Sequence, residues 1–349
     1  MISMGQEALK EESYQVELAP LENGSRISGL GQLLRPRLAK IVNLAQKDFD
    51  HELALELHSP RLYVAEDGSN IPMTYRVFNS DYLNNGNPAV VYNFSLFVPG
   101  HRGAELPTLY DITKLAKEHK SAVIAITTDG YANDLSAPQL ESLKDFHAMA
   151  RRKLSLLESI CCEGQELIVT GSSLGGMMSY DMAALNAEKS HPKLRISKII
   201  SICSAGHNGY SPADLAKAFK QFSLGELMPV MSYVKADLHP AHMLHRYLEL
   251  IETFPSNLQQ VSASAIIAYA ILRSPLIAVE QKIPPYTEVI DELYLNDPVS
   301  QPHLREANWA KADHPKDKHD VQLKPGNHLA LLTVGRLTTL KYLFDSDKD

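Results

Sequence analysis

The spacing of apolar positions changes several times along the chain, and each change marks a new element. After Pro36, Leu38, Ile41, Ala45, Phe49 and Leu53 recur at helical spacing, which predicts an amphipathic helix whose first turn suits the proline. From about Arg61 the runs shorten. Leu62 to Ala65, the turn Asp67-Gly68-Ser69-Asn70, and Met73 to Phe78 predict a β-hairpin. A polar turn at Asn84 to Asn87 leads into a nearly continuous apolar run, Ala89 to Val98, closed by Pro99-Gly100-His101-Arg102-Gly103. Such a run, apolar on both faces, fits a central strand of a parallel sheet.

Strands and helices then alternate: a helix over Leu109 to His119, a strand over Ala122 to Ile126, a long helix over Gln139 to Ile160, and a strand over Glu166 to Thr170. The next helix begins inside Gly171 to Met178 and runs to about Asn186, and another strand covers Ile196 to Cys203. This rhythm predicts an α/β architecture, a mostly parallel sheet with helices on both faces. Residues 206 to 285 break the rhythm with helical stretches at Pro212 to Phe222, His242 to Phe254 and Val261 to Leu272, and read as a helical insertion. Strand patterning resumes weakly at Glu292 to Leu295 and Val321 to Leu323, and Leu329 to Phe344 closes as a helix. The expected organisation is a helical extension over 1–58, a core over 59–205, a cap over 206–285, and the rest of the core over 286–349.

Composition narrows the function classes. With 44% hydrophobic and 21% charged residues, extended disorder, collagen and coiled coil are excluded. A net charge of −7 without any long Lys/Arg run argues against a nucleic-acid partner. Three cysteines, Cys161, Cys162 and Cys203, are too few for a disulfide framework and read as small apolar residues. The polar start from Met1 to Gln15, with Glu7, Glu11 and Glu12, lacks the basic and apolar regions of a secretory signal, so a cytoplasmic protein is expected. The most apolar window, Val261 to Val279, contains Arg273 and Pro275 and falls short of the ~20 clean residues a spanning helix needs.

Chemistry concentrates in Gly171-Ser172-Ser173-Leu174-Gly175-Gly176, which follows an apolar strand and opens a helix. That is the context of a G-x-S-x-G nucleophile elbow, with Ser173 at its centre. The glycines two residues either side let a tight strand-to-helix turn close, and a helix N-terminus favours a developing anion. Over most of residues 60 to 349 the chain resembles the α/β-hydrolase family, and that resemblance implies an elbow serine, a later acid and a histidine near the C-terminus.

By this resemblance His328, in Pro325-Gly326-Asn327-His328 before the terminal helix, is the expected base. Asp297, in Leu295-Asn296-Asp297-Pro298-Val299, is the expected acid, far enough ahead of His328 for one helix and one strand. Asp291 and Asp313 stand as alternatives, because the strand before Asp297 is less apolar than the family pattern. The oxyanion donors would be the backbone N–H of Leu174 and, where Pro99-Gly100 replaces the family's His-Gly pair, that of His101.

The expected activity is a serine hydrolase cleaving an ester or thioester through an acyl-enzyme, without metal or cofactor. Apolar Phe222, Leu224, Leu227, Met228, Met231 and the Ile266 to Leu272 segment suggest a mainly apolar small-molecule acyl substrate. Two other readings stay open. Gly175-Gly176-Met177-Met178 is similar to acyltransferases of this fold that pass the acyl group to an alcohol, and a non-catalytic ligand-binding protein would keep the fold without the chemistry. His239, His242 and His245 do not share one helix face after Pro240 and are not read as a metal site. Asp129-Gly130 reads as turn chemistry, and the pairs Asp313-His314 and His319-Asp320 read as surface.

Overall fold

The computed structural model describes residues 60–95, 106–129, 135–206, 280–295, 297, 300–302, 305, 309, 310, 312, 314–325 and 334–344. The expected helix after Pro36, nearly all of the expected cap, the substrate-facing residues assigned to it and its three histidines lie outside the described residues.

The expected hairpin forms: β1 (Arg61–Val64) pairs antiparallel with β2 (Pro72–Phe78). Then follow β3 (Ala89–Asn93), α1 (Leu106–Glu118), β4 (Val123–Ile126), α2 (Ala137–Ser142), α3 (Phe146–Ile160), β5 (Gln165–Ser172), α4 (Leu174–Ala187) and β6 (Leu194–Ile202). After residue 280 come β7 (Glu288–Tyr294), β8 (His319–Lys324) and α5 (Val334–Leu343). The eight strands form one sheet in the order β1-β2-β4-β3-β5-β6-β7-β8. Only β2 runs against the others, so β3 to β8 all end on one edge.

Alternation along each strand divides the core in two. Val91, Leu167, Val169 and Ile199 pack with Met149, Leu154 and Leu157 of α3 and Met177, Met178 and Met182 of α4. Val90, Tyr92, Ile168 and Ile200 face the other way, against Leu109, Ile112 and Ala116 of α1 and Leu343 of α5. A sheet covered on both faces explains why its central strands read as unbroken apolar runs.

Two boundaries differ from the sequence reading. The long helix expected over Gln139 to Ile160 is two helices, because the Asp145 side chain accepts the Ala148 N–H at 2.9 Å and caps a new start. The run from Ala89 leaves the sheet at Asn93, not Val98. Its neighbours give out there: Phe94 N–H still reaches Ile126 O at 3.1 Å, but the Phe94 and Ser95 carbonyls accept from Thr128 Oγ1 at 2.7 and 2.9 Å.

β7 carries Asp291 and Glu292, both fully buried, on opposite faces. Asp291 accepts from Tyr180 Oη at 2.6 Å, Arg305 Nε at 2.8 Å and Trp309 Nε1 at 3.1 Å, and contacts His319 Nε2 at 3.1 Å. Arg305 also pairs with Glu280, and burial lowers its guanidinium to about 10. Glu292 accepts from Tyr294 and Thr338. His319, read as surface from the sequence, is therefore part of this buried cluster, its side chain 12% exposed and stacked on Trp309. Among the described residues no helix is long and apolar enough to cross a membrane.

Candidate active site

β5 ends at Ser172 and α4 begins at Leu174, so the turn between them is the single residue Ser173. Its backbone lies at φ 50° and ψ −116°, a region that costs a residue with a side chain about 1–3 kcal/mol. Hydrogen bonds on both sides hold it there. Ser173 N–H donates to Ile202 O at 2.8 Å, and Ser173 O accepts from Ala205 N–H and Met177 N–H, each at 3.1 Å. The flanking glycines are required by contact with backbone. A Cβ on Gly171 would lie 2.5 Å from Gly175 C and 2.8 Å from Asn93 O, and one on Gly175 would lie 2.1 Å from Asn93 O. The Ser173 side chain is half-buried, while Ser172 and Leu174 are buried. Leu174, first residue of α4, carries one of the helix N-terminal amides that have no acceptor within the helix.

Asp297 follows β7 on the same edge and is 3% exposed. Its N–H donates to Tyr294 O at 3.1 Å, and its Oδ1 accepts the Ser300 N–H at 3.0 Å. Its neighbour across the edge is Cys203, the residue after β6, which is fully buried at φ 49° with its N–H on Glu292 O at 2.8 Å. Burial pushes the Cys203 thiol well up, aided by the Asp297 and Glu292 carboxylates, and the thiol is hydrogen-bonded to Asp297. Cys203 immediately follows Ile202, whose carbonyl takes the Ser173 N–H, so the two groups are supported by consecutive residues at the end of β6. At about 5 Å between strands, the β5 and β7 backbones stand ~10 Å apart across β6, room for an imidazole between their side chains.

Of the other sequence candidates, His328, His101 and Asp313 lie outside the described residues. β8, which precedes His328, and β3, which precedes His101, end on the edge that carries Ser173. Asp291 lies within β7, its carboxylate occupied by Tyr180, Arg305, Trp309 and His319. Among the described residues no group of three or more His, Cys, Asp or Glu is arranged to hold a metal ion.

Sequence reasoning missed the buried polar framework beneath this edge. Asp129, read as part of a turn, is buried after β4, its Oδ2 accepting from Arg152 Nε and a terminal Arg152 nitrogen at 2.9 and 2.7 Å. Arg152 reaches Asp67 as well, at 3.0 Å. Next along α3, Lys153 Nζ donates to Asn93 Oδ1 at 3.1 Å, and Asn93 Nδ2 donates to Ser179 Oγ at 3.2 Å. One signal was available. Phe146, Met149, Ala150, Lys153, Leu154 and Leu157 form a helical stripe, and a lysine within an apolar stripe demands a buried partner.

No family model matches the sequence, and no curated protein matches it. Solved structures do. A bacterial membrane phospholipase A, described as a virulence factor, is similar at a TM-score of 0.55 and 15% identity, covering 91% of this chain and 93% of its own. The enol-lactonase of Burkholderia xenovorans LB400 is similar at a TM-score of 0.55 and 15% identity, covering 82% of this chain and 98% of its own. A thermophilic esterase of Thermogutta terrifontis is similar at 0.51 and 12%, covering 81% and 96%. With the strand order, the elbow and the covered sheet faces, these likenesses establish that the chain has the α/β-hydrolase fold.

Proposed function

We propose that this protein is a serine hydrolase that cleaves a carboxylic ester or thioester, with Ser173 as nucleophile, His328 as general base and Asp297 as the acid that orients it. The observation that carries this reading is the strained backbone of Ser173. A residue with a side chain is kept at φ 50° and ψ −116° as the whole of a strand-to-helix turn whose flanking glycines abut backbone atoms, the arrangement by which a nucleophile elbow presents its hydroxyl at the sheet edge. Support comes from Asp297, a buried carboxylate whose backbone is held on the same sheet edge. The similar phospholipase, lactonase and esterase also point to ester chemistry.

In this mechanism His328 takes the Ser173 proton as Oγ attacks the acyl carbon, and returns it to the departing alcohol or thiol. Water then attacks the acyl-enzyme with the same histidine as base, which releases the acid and restores the serine. Asp297 fixes the imidazole tautomer and stabilises its cation. The Leu174 N–H, at the positive end of α4, stabilises the oxyanion, and His101 N–H is the second donor. The substrate is a small, mainly apolar acyl compound, and the protein acts in the cytoplasm.

A fluorophosphonate probe tests the reading, with the adduct located by peptide mass spectrometry. An adduct on Ser173 that is lost in Ser173→Ala and slowed at least 100-fold in His328→Ala is the expected result. Absence of labelling in the folded wild-type protein would overturn it in favour of a ligand-binding role.

A further inference from the structure

Lys153 is fully buried on the apolar stripe of α3, among residues that pack against the sheet. Moving an ammonium out of water costs several kcal/mol unless hydrogen bonds compensate, so a lysine here has to serve its partners. Its Nζ donates to Asn93 Oδ1 at 3.1 Å. Asn93 Nδ2 passes the chain on to Ser179 Oγ at 3.2 Å, and the Ser179 hydroxyl donates to Gly175 O at 2.9 Å. Three side chains thus link α3, the last residue of β3, and the first turn of the helix that carries the nucleophile.

The main chain of Asn93 is held against the same place. Its carbonyl oxygen fills the notch between the elbow glycines, where a Cβ would come within 2.8 Å at Gly171 and 2.1 Å at Gly175. Asn93 is therefore fixed at both ends, by its carbonyl against the elbow and by its amide between two helices. Phe94 and Ser95 follow it, their carbonyls held by Thr128 Oγ1.

We propose that Lys153 is a positioning residue: through Asn93 it holds the end of β3 against the elbow glycines at a fixed offset from Ser173, so that the nucleophile stands in its reactive position. This rests on the serine-hydrolase reading. Lys153 touches no substrate. Without it, Asn93 Oδ1 loses the ammonium that orients its amide, and the end of β3 is free to settle differently against the elbow. A displacement of a reacting group by about 1 Å slows reaction by roughly 10²-fold, and a smaller shift of the elbow costs part of that, in the transition state and not in ground-state binding.

The test uses the whole chain, with Lys153→Met, which keeps most of the side chain's length and removes the ammonium, and Ser179→Ala, which cuts the same chain of hydrogen bonds at a milder point. Circular dichroism establishes folding well below the unfolding temperature. The readouts are the rate of fluorophosphonate labelling at Ser173 and kcat and KM for p-nitrophenyl butyrate. The expected result is a fall in kcat and labelling rate of about 10-fold or more for Lys153→Met and about threefold for Ser179→Ala, with KM within twofold. The double variant should lose less than the product of the two, because both cut one chain. If Lys153→Met fails to fold, Ser179→Ala decides alone. Wild-type labelling with folded variants that label and turn over within 1.5-fold of it would overturn the positioning role and leave the hydrolase reading intact. Wild-type protein that does not label would overturn both.

Discussion

A single methyl group added at Gly175 should cost this protein both stability and reactivity, against what helix propensity alone implies. Gly175 is the second residue of α4 and has no left-handed backbone, so alanine suits its conformation. In an open helix that exchange gains about 0.5–1 kcal/mol. Here the new Cβ would lie 2.1 Å from Asn93 O, 3.1 Å from Asn93 C and 3.4 Å from Phe94 C. All three are backbone atoms, and none can rotate away. Restoring ordinary contact requires the start of α4 or the end of β3 to move by about 1 Å, and overpacking of this kind costs about 1–3 kcal/mol, more when main chain must shift. A net loss of about 2 kcal/mol is expected by urea denaturation followed by circular dichroism. The same displacement moves Ser173 relative to the end of β3, and misplacement by about 1 Å slows reaction by roughly 10²-fold. Gly176→Ala is the control. Its Cβ would meet the Ser201 Oγ and Ser204 Cβ side-chain atoms at 3.0 Å, with Gly171 O at 3.2 Å, so a smaller adjustment, about 1 kcal/mol or less, is expected. A Gly175→Ala protein at least as stable as wild type, and labelled by fluorophosphonate within threefold of its rate, would refute the steric argument.

Three further substitutions probe separate features. Ser173→Gly should raise stability by about 1 kcal/mol while abolishing labelling, because glycine accepts φ 50°; Ser173→Ala keeps a Cβ and should gain nothing, so equal urea midpoints for the two would dismiss the strain. Asp291→Asn should destabilise by about 3 kcal/mol or more by leaving Arg305 short of a buried counter-charge. Asp297→Asn should cost about 1 kcal/mol and slow labelling at least 100-fold, and a reversed pattern in the same two assays would exchange their roles. The hydrogen bond to Asp181, 2.7 Å from His147 Nδ1, raises the His147 pKa above 6.5. Its contribution is therefore full below the unfolded value of about 6.5 and is lost as pH rises through the raised folded value. With the imidazole 44% exposed, solvent screening holds it to about 0.5 kcal/mol or less, so wild type should lose its small advantage over His147→Gln between pH 6 and pH 8.5 in thermal melts. A constant difference across that range would exclude the titration.

The sheet was legible wherever a strand is apolar on both faces, because both faces are covered by helices. It was faintest at β7, for a reason the structure makes plain. Asp291 and Glu292 interrupt the pattern, and apart from Tyr294 their partners come from Tyr180, Arg305, Trp309, His319 and Thr338, too far away in sequence for a strand-length window to join them. His319 looked like surface because its neighbours are polar, although its own ring stacks on Trp309. The break at Asp145 escaped notice because a capping aspartate in a polar stretch looks like an exposed helical one. Ser173 was legible because the elbow's requirements are local: a strand, two glycines and a helix in one short string. The Asn93 to Ser179 link was not, since an asparagine ending an apolar run gives no sign of what its amide will meet.

Ser173 and Cys203 occupy equivalent places, each the first residue beyond one of two adjacent parallel strands, and they share nearly the same positive φ, 50° and 49°. Each such backbone costs about 1–3 kcal/mol in a residue that is not glycine, and two side by side concentrate strain on one short stretch of sheet edge. The hydrogen bonds that hold them run stepwise across the edge: Ser173 N–H to Ile202 O, then Cys203 N–H to Glu292 O. Glu292 is in turn anchored from below by Thr338 of α5, and Asp297 emerges three residues after the last pairing of β7 with β8 on its way out of the sheet. The serine and the aspartate are therefore referenced to each other through strand backbone and not through mobile side chains. Such a scaffold keeps two groups in register only if the strands beneath cannot slide, and the buried ions at Asp291, Arg305, Asp129 and Arg152 tie strands to helices on the same sheet. On this view the charges inside the core hold geometry more than they add stability, which is the use for which buried ion pairs are best suited.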